Sequence, residues 1–93
     1  MVAVSKEYLR RIRNVLKARR IALGFKQSEV AERAGIKLRS LQHFEQSGGI
    51  SLEKLLKLLV LYRMDSRILA CFEDRSGWSL EELERAETRK KVR

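Results

Sequence analysis

Residues 27–46, QSEVAERAGIKLRSLQHFEQ, constrain this chain more than any other stretch. A glycine eight residues after Gln27 falls where the apolar spacing of one short helix stops and that of another begins. Glycine enters the left-handed backbone region without a steric penalty, so Gly35 ends the first helix and turns the chain into the second. Val30, Ala31 and Ala34 supply the inward side of the first helix; Leu41 and Phe44, with Ile36 just ahead, supply that of the second. The outer face of the second helix keeps Leu38, Arg39, Gln42, His43 and Gln46, a row of hydrogen-bonding side chains with one apolar member. A helix with that exterior, held across another by a tight turn, suits a DNA major groove.

The flanking sequence has the same helical character. Proline is absent, Leu, Ala, Glu, Lys and Arg dominate, and no segment alternates as a strand does, so an all-α fold is expected. A chain of 93 residues makes one small core and buries a modest share of its surface, which favours association with a second copy. The single cysteine excludes an internal disulfide; in its apolar run, Cys71 is expected as a buried small hydrophobe in a reducing compartment. No run approaches the ~18 apolar residues of a membrane span and no leader peptide is read, so a soluble cytoplasmic protein is expected, with no membrane partner. The net charge of +9 is uneven: residues 1–47 hold 11 basic and 4 acidic side chains, residues 48–93 hold 10 and 8. A solvated basic surface is one account of such an excess; placed on the two-helix unit, it fits a polyanion bound through counterion release.

A first helix is expected from about Ser5 to Leu23, capped by Ser5, with Leu9, Ile12, Leu16 and Leu23 as its buried stripe. Arg20 interrupts that stripe and must find a partner or reach solvent. Three pairs flank helix starts as hydrophobic staples, Phe25 with Val30, Ile36 with Leu41, and Ile50 with Leu55, and Glu29 stands at a capping-box position. Ser51 opens a fourth helix so rich in leucine that it is either central or continues onto a partner. Asp65 or Ser66 is expected to cap a fifth, with Ile68, Leu69 and Phe72 on its apolar side. Trp78, Ser79, Glu82 and Leu83 complete a staple-and-box signature for a sixth helix of about nine residues. Residues 73–88 there carry 6 acidic and 2 basic side chains; the basic Arg89, Lys90, Lys91 and Arg93 that follow are expected as a frayed, solvated end.

Arg20, Leu23-Gly24, Gln27, Glu29, Ala31, Ala34-Gly35, Leu41, Glu45 and the apolar helix after Ser51 together resemble the helix-turn-helix family of Cro and the phage repressors, also called the XRE family. The resemblance covers residues 16 to about 62 and implies a compact five-helix, lambda-repressor-like domain over residues 1–72, with residues 73–93 as an extension bearing a short extra helix. It implies that Leu38, Arg39, Ser40, Gln42 and His43 meet bases, that Gln27 meets a phosphate, and that Arg20 pairs with Glu45. It also implies a homodimer on double-stranded DNA, joined near Ile68, Leu69 and Phe72. Lys26 and Lys37 depart from the family, which usually has capping hydroxyl or amide side chains there; lysine cannot cap, so both are read as phosphate contacts. The S-x-x-E-L tail followed by basic residues is similar to short regulators encoded beside HipA-type toxin kinases, which implies a toxin protein as a second partner.

Enzyme chemistry finds no footing. There is no phosphate-cradling G-x-x-x-x-G-K, and the lone His43 has no Cys, Asp or Glu at metal-ligand spacing, so neither a cofactor nor a metal is expected. The expectation is a DNA-binding transcriptional regulator, a dimeric repressor reading the major groove with residues 38–46. The alternative is an antitoxin that represses its own operon and meets its toxin through the extension.

Overall fold

The computed structural model describes residues 5–92, and side chains through residue 88; the basic residues 89–93 lie outside the described side chains. Among the described residues six helices follow one another: α1 Lys6–Ala22, α2 Gln27–Ala34, α3 Leu38–Ser47, α4 Leu52–Leu61, α5 Asp65–Glu73 and α6 Leu80–Val92. Among the described residues there is no strand.

Local chemistry sets most of the boundaries. The Ser5 hydroxyl accepts from the Glu7 N–H at 3.1 Å, Ser51 from Lys54 at 3.2 Å and Ser79 from Glu82 at 3.1 Å, so α1, α4 and α6 each start on a serine cap. At the end of α2, Gly35 adopts φ +69, and the Ile36 N–H reaches back to the Ala31 carbonyl at 3.0 Å, the wide hydrogen bond of a Schellman turn. The same turn ends α4, where Met64 donates to Leu59 at 2.8 Å and Arg63 to Val60 at 3.1 Å. Arg63 occupies the left-handed position at φ 59, a site that glycine fills at lower cost. α5 begins earlier than a cap at Asp65 or Ser66 implied: Met64 precedes it without a side-chain cap, and Asp65 is its first helical residue.

The core is built from Leu16, Val30, Ala31, Ile36, Leu41, Phe44, Leu58, Leu59 and Tyr62. α1 packs on α3, α2 on both α3 and α4, and α4 on α5. Burying Leu41 and Phe44 fully contributes about 1.5–3 kcal/mol each and sets which face of α3 points inward. Of the stripe expected on α1, Leu16 is buried and Leu9 half-buried, but Ile12 and Leu23 face solvent. The side of α1 that meets α3 instead runs Leu9, Arg13, Leu16, Arg20, a 4-3-4 spacing in which two members are cations.

α5 reaches only the margin of the core, through Ile68; none of its residues is fully buried. Leu69 and Phe72 are 54% and 75% exposed. Cys71, expected inside, is exposed, because α5 has by then run past the helices that could cover it. α6 is 13 residues long, against about nine expected, and packs extensively on none of the other helices. The chain's lone tryptophan, Trp78, sits in the turn ahead of α6 and stacks with Arg75, whose guanidinium lies 5.4 Å from the ring centroid. The radius of gyration is 16.8 Å, against about 12 Å for a compact chain of this length, which is the signature of a projecting extension.

Candidate nucleic-acid interface

Glu45 fixes α3 from beneath. Its carboxylate accepts from Arg20 Nε at 2.8 Å and from a terminal Arg20 nitrogen at 3.1 Å, and the Gln27 side-chain amide donates to it at 2.9 Å. The Arg20 and Glu45 side chains are 12% and 4% exposed, so the pair lies in a poorly solvated seam, and Arg20 also donates to the Phe25 carbonyl at 2.9 Å. One carboxylate thus joins α1, the first residue of α2, and α3.

The far end of α3 is held by close backbone approach. Gly48 closes the helix at φ +83, and a Cβ there would lie 3.1 Å from Leu9 Cβ and 3.2 Å from the Leu9 carbonyl. Arg13 donates to the Gln46 carbonyl in the last turn, where the helix dipole favours a cation. With α3 fixed at both ends and below, its outer face presents Leu38, Arg39, Gln42, His43 and Gln46 to solvent. Ser40 is set apart from these: it is half-buried and turned toward α4, and its hydroxyl accepts from Lys54 Nζ at 3.1 Å. His43 lies within 3.2 Å of the Ser47 hydroxyl one turn on. Lys17 of α1 joins Gln27, Arg39, Gln42 and Gln46 around an open depression of about 530 Å³ beside the helix.

Both helix starts at this surface lack a side-chain acceptor. The Lys26 N–H donates to Glu29 at 3.1 Å, which is half of a capping box; the other half cannot form, since an ammonium has no lone pair to accept with. At α3, Lys37 provides no side-chain cap and the first turn contains no acid. Free N–H groups, a positive helix end and the exposed Lys37 and Arg39 therefore coincide, an arrangement suited to an anionic oxygen. Gln27 is half-buried; one amide hydrogen goes to Glu45, which leaves the second for an outside acceptor.

Several of these supports are missing from a reading of the apolar spacing alone. Arg13 and Arg19 are not simply solvated: Arg19 Nε donates to the Tyr62 carbonyl at 3.1 Å, so α1 satisfies C-terminal carbonyls of both α3 and α4. The signal for Arg13 is positional, since Arg13 and Arg20 lie two helical turns apart on the side shared with Leu16. Tyr62 is fully buried behind the Arg20–Glu45 pair, and its hydroxyl has no hydrogen-bond partner among the described residues. Burial pushes its pKa up to about 12; the Glu45 carboxylate adds to the rise and the Arg20 guanidinium opposes it.

A family model described as helix-turn-helix matches residues 16–69, more than half of the chain. The chain belongs to the helix-turn-helix family of Cro and the phage repressors. That family is one of DNA-binding transcription regulators and not a catalytic one. The matched segment runs from the middle of α1 into α5 and leaves α6 outside. No curated protein and no solved structure matches the chain significantly. No described helix is long and apolar enough to cross a membrane.

Proposed function

We propose that this helix-turn-helix protein is a dimeric, sequence-specific repressor that works in the cytoplasm by occupying a promoter. The observation that carries the reading is the outer face of α3: Leu38, Arg39, Gln42 and His43 stand free on a helix whose every support comes from its other sides. In a major groove, Arg39 would read guanine O6 and N7 with two hydrogen bonds, Gln42 adenine or backbone, and Leu38 a thymine methyl. Ser40, engaged by Lys54, would meet DNA only at the edge of the footprint. Lys26, Gln27 and Lys37 would take phosphates at the two uncapped helix starts, positioning the protein without reading sequence. Residues 1–72 would form the DNA-binding unit, with Leu69 and Phe72 in the two-fold interface and Ile68 behind them.

DNase footprinting on the DNA upstream of the protein's own gene, at two salt concentrations, tests this. Protection of a near-palindrome with half-sites about ten base pairs apart is expected, weakening steeply with salt. Absence of binding at low salt would refute it. A second reading, an antitoxin that represses its own operon and grips a toxin protein, is favoured by one feature: the extension, with Trp78 and the acidic stretch 73–88, packs extensively on none of the other helices and is open to a partner.

A further inference from the structure

His43 stands one helical turn after Arg39 on the outer face of α3, and its ring is held from one side. The Ser47 hydroxyl donates to the His43 carbonyl at 2.8 Å, accepts from the Gly49 N–H at 3.2 Å and lies 3.2 Å from His43 Nε2. A hydroxyl has one hydrogen and two lone pairs. The carbonyl can only accept, so the hydrogen goes there, in the bond to the preceding turn that serine makes within helices. One lone pair takes the Gly49 N–H, and the other faces Nε2. That last contact is a hydrogen bond only if Nε2 carries the ring proton. The other neutral tautomer would set two lone pairs against each other.

Gly49 keeps the ring in this position. A Cβ there would lie 3.2 Å from Nε2 and 3.6 Å from Cδ2, so the Nε2–Cδ2 edge rests against bare backbone. The imidazole atom opposite that edge is Nδ1. It therefore points away from the loop, on an exposed side chain, and has no hydrogen-bond partner among the described residues. With the proton of the neutral ring on Nε2, Nδ1 keeps its lone pair and can only accept. Arg39, one turn earlier, can only donate. In a major groove, guanine N7 and O6 match such a donor, whereas a lone acceptor is matched by the exocyclic amino group of adenine N6 or cytosine N4.

We propose that Ser47 is a positioning residue that fixes His43 in the Nε2–H tautomer, so that Nδ1 accepts from an exocyclic amino group of adenine or cytosine. This rests on the base-reading role proposed above and names the atom that His43 reads. The first test needs no DNA. His43 is the only histidine, so long-range proton–nitrogen correlation spectra of the full chain show a single imidazole. At about pH 8, where imidazole is neutral, the protein is expected to carry the ring proton on Nε2 with Nδ1 bare. Ser47→Ala should draw the two nitrogen shifts toward each other as the tautomers interchange; Ser47→Thr, which keeps the hydroxyl, should restore them. A proton on Nδ1, or a Ser47→Ala spectrum identical to the parent's, refutes the lock. The second test recovers an operator from a random duplex library and finds the base pair whose preference His43→Ala erases. Replacing the amino-bearing base there by its analogue without the amino group should weaken binding several-fold, and should leave His43→Ala binding unchanged. A purine analogue without N7 should be tolerated. Sensitivity to N7 and indifference to the amino group would make the ring a donor and refute the proposal. A recovered operator that His43→Ala binds with unaltered preferences refutes this proposal alone; recovery of no operator refutes base reading by α3 as well.

Discussion

Replacing Glu45 with alanine removes the acceptor for three hydrogen bonds at once, two from Arg20 and one from Gln27. Arg20 would remain in a seam where its side chain is only 12% exposed, keeping a single bond to the Phe25 carbonyl. Breaking a buried pair by deleting one partner costs about 3–5 kcal/mol, most of it the penalty on the stranded charge. The surviving bond and the residual exposure of Arg20 place this site at the low end, about 3 kcal/mol. At about 4–8 °C per kcal/mol for a domain of this size, the melting temperature should fall by at least ~12 °C. Thermal unfolding followed by circular dichroism, at one fixed protein concentration because association with a second copy would shift the transition, would read it. The companion double variant Arg20→Met with Glu45→Leu removes both charges and should recover most of the loss, since an apolar pair needs no hydrogen bonds. A drop of less than about 3 °C for Glu45→Ala would show that the seam is well hydrated. A double variant less stable than Glu45→Ala would show that the stranded charge is not what costs stability.

Three further outcomes are expected. Arg39→Ala should weaken binding by about 1–3 kcal/mol at one base-pair position of the operator and relax specificity there, measured by gel shift on single-base operator variants; a uniform loss across all sequences would reassign Arg39 to the backbone. Arg63→Gly should raise stability by about 0.5–1 kcal/mol in urea unfolding, because relief of the left-handed strain at φ 59 outweighs the entropy glycine gains in the unfolded chain; a loss would mean that Arg63 makes a contact worth more than that strain. Tyr62 governs alkaline behaviour. Its folded pKa of about 12 lies above the ordinary value of 10.0, so its contribution is fully present below pH 10 and is lost as pH rises toward 12. Tyr62→Phe should flatten the stability profile in that window and cost little at pH 7, where the hydroxyl has no partner to lose; identical profiles for the two proteins above pH 10 would contradict the burial of the phenol.

What the sequence discloses, and what it withholds, follows from how local each cause is. Gly35, Ser51 and Ser79 act within a few residues of themselves, so the ends they define are readable from the chain. The turn at Arg63 is equally local, but arginine is a poor marker for a left-handed residue, and the end of α4 carries no visible punctuation. Leu41 and Phe44 could be assigned inward because the opposite face of α3 is polar. Ile12 and Leu23 could not be placed by the same reasoning, since apolar spacing identifies a face without telling whether another helix lies against it. Cys71 was misplaced for that reason too: its neighbours in sequence are apolar, but its neighbours in space are absent. At the interface, Arg39, Gln42 and His43 were legible as outward positions on a regular helix. The rotation of Ser40 toward Lys54 depends on where α4 crosses, which is a tertiary fact.

The contact of Gly48 with Leu9 bears on how such a protein can change over time. The loop leaving α3 cannot accept a side chain at that point or swing outward without losing its seat on α1. Variation in the loop is therefore a costly route to a new operator. The side chains at 38, 39, 42 and 43 take no part in that seat, nor in the Glu45 junction below. They can be exchanged singly with the helix axis kept in place, so that, in the base-reading role proposed above, each substitution would alter the preferred base at one step and preserve the register of the others. A lineage built on this arrangement would diversify its targets by point substitution on one helix face, with backbone geometry held constant.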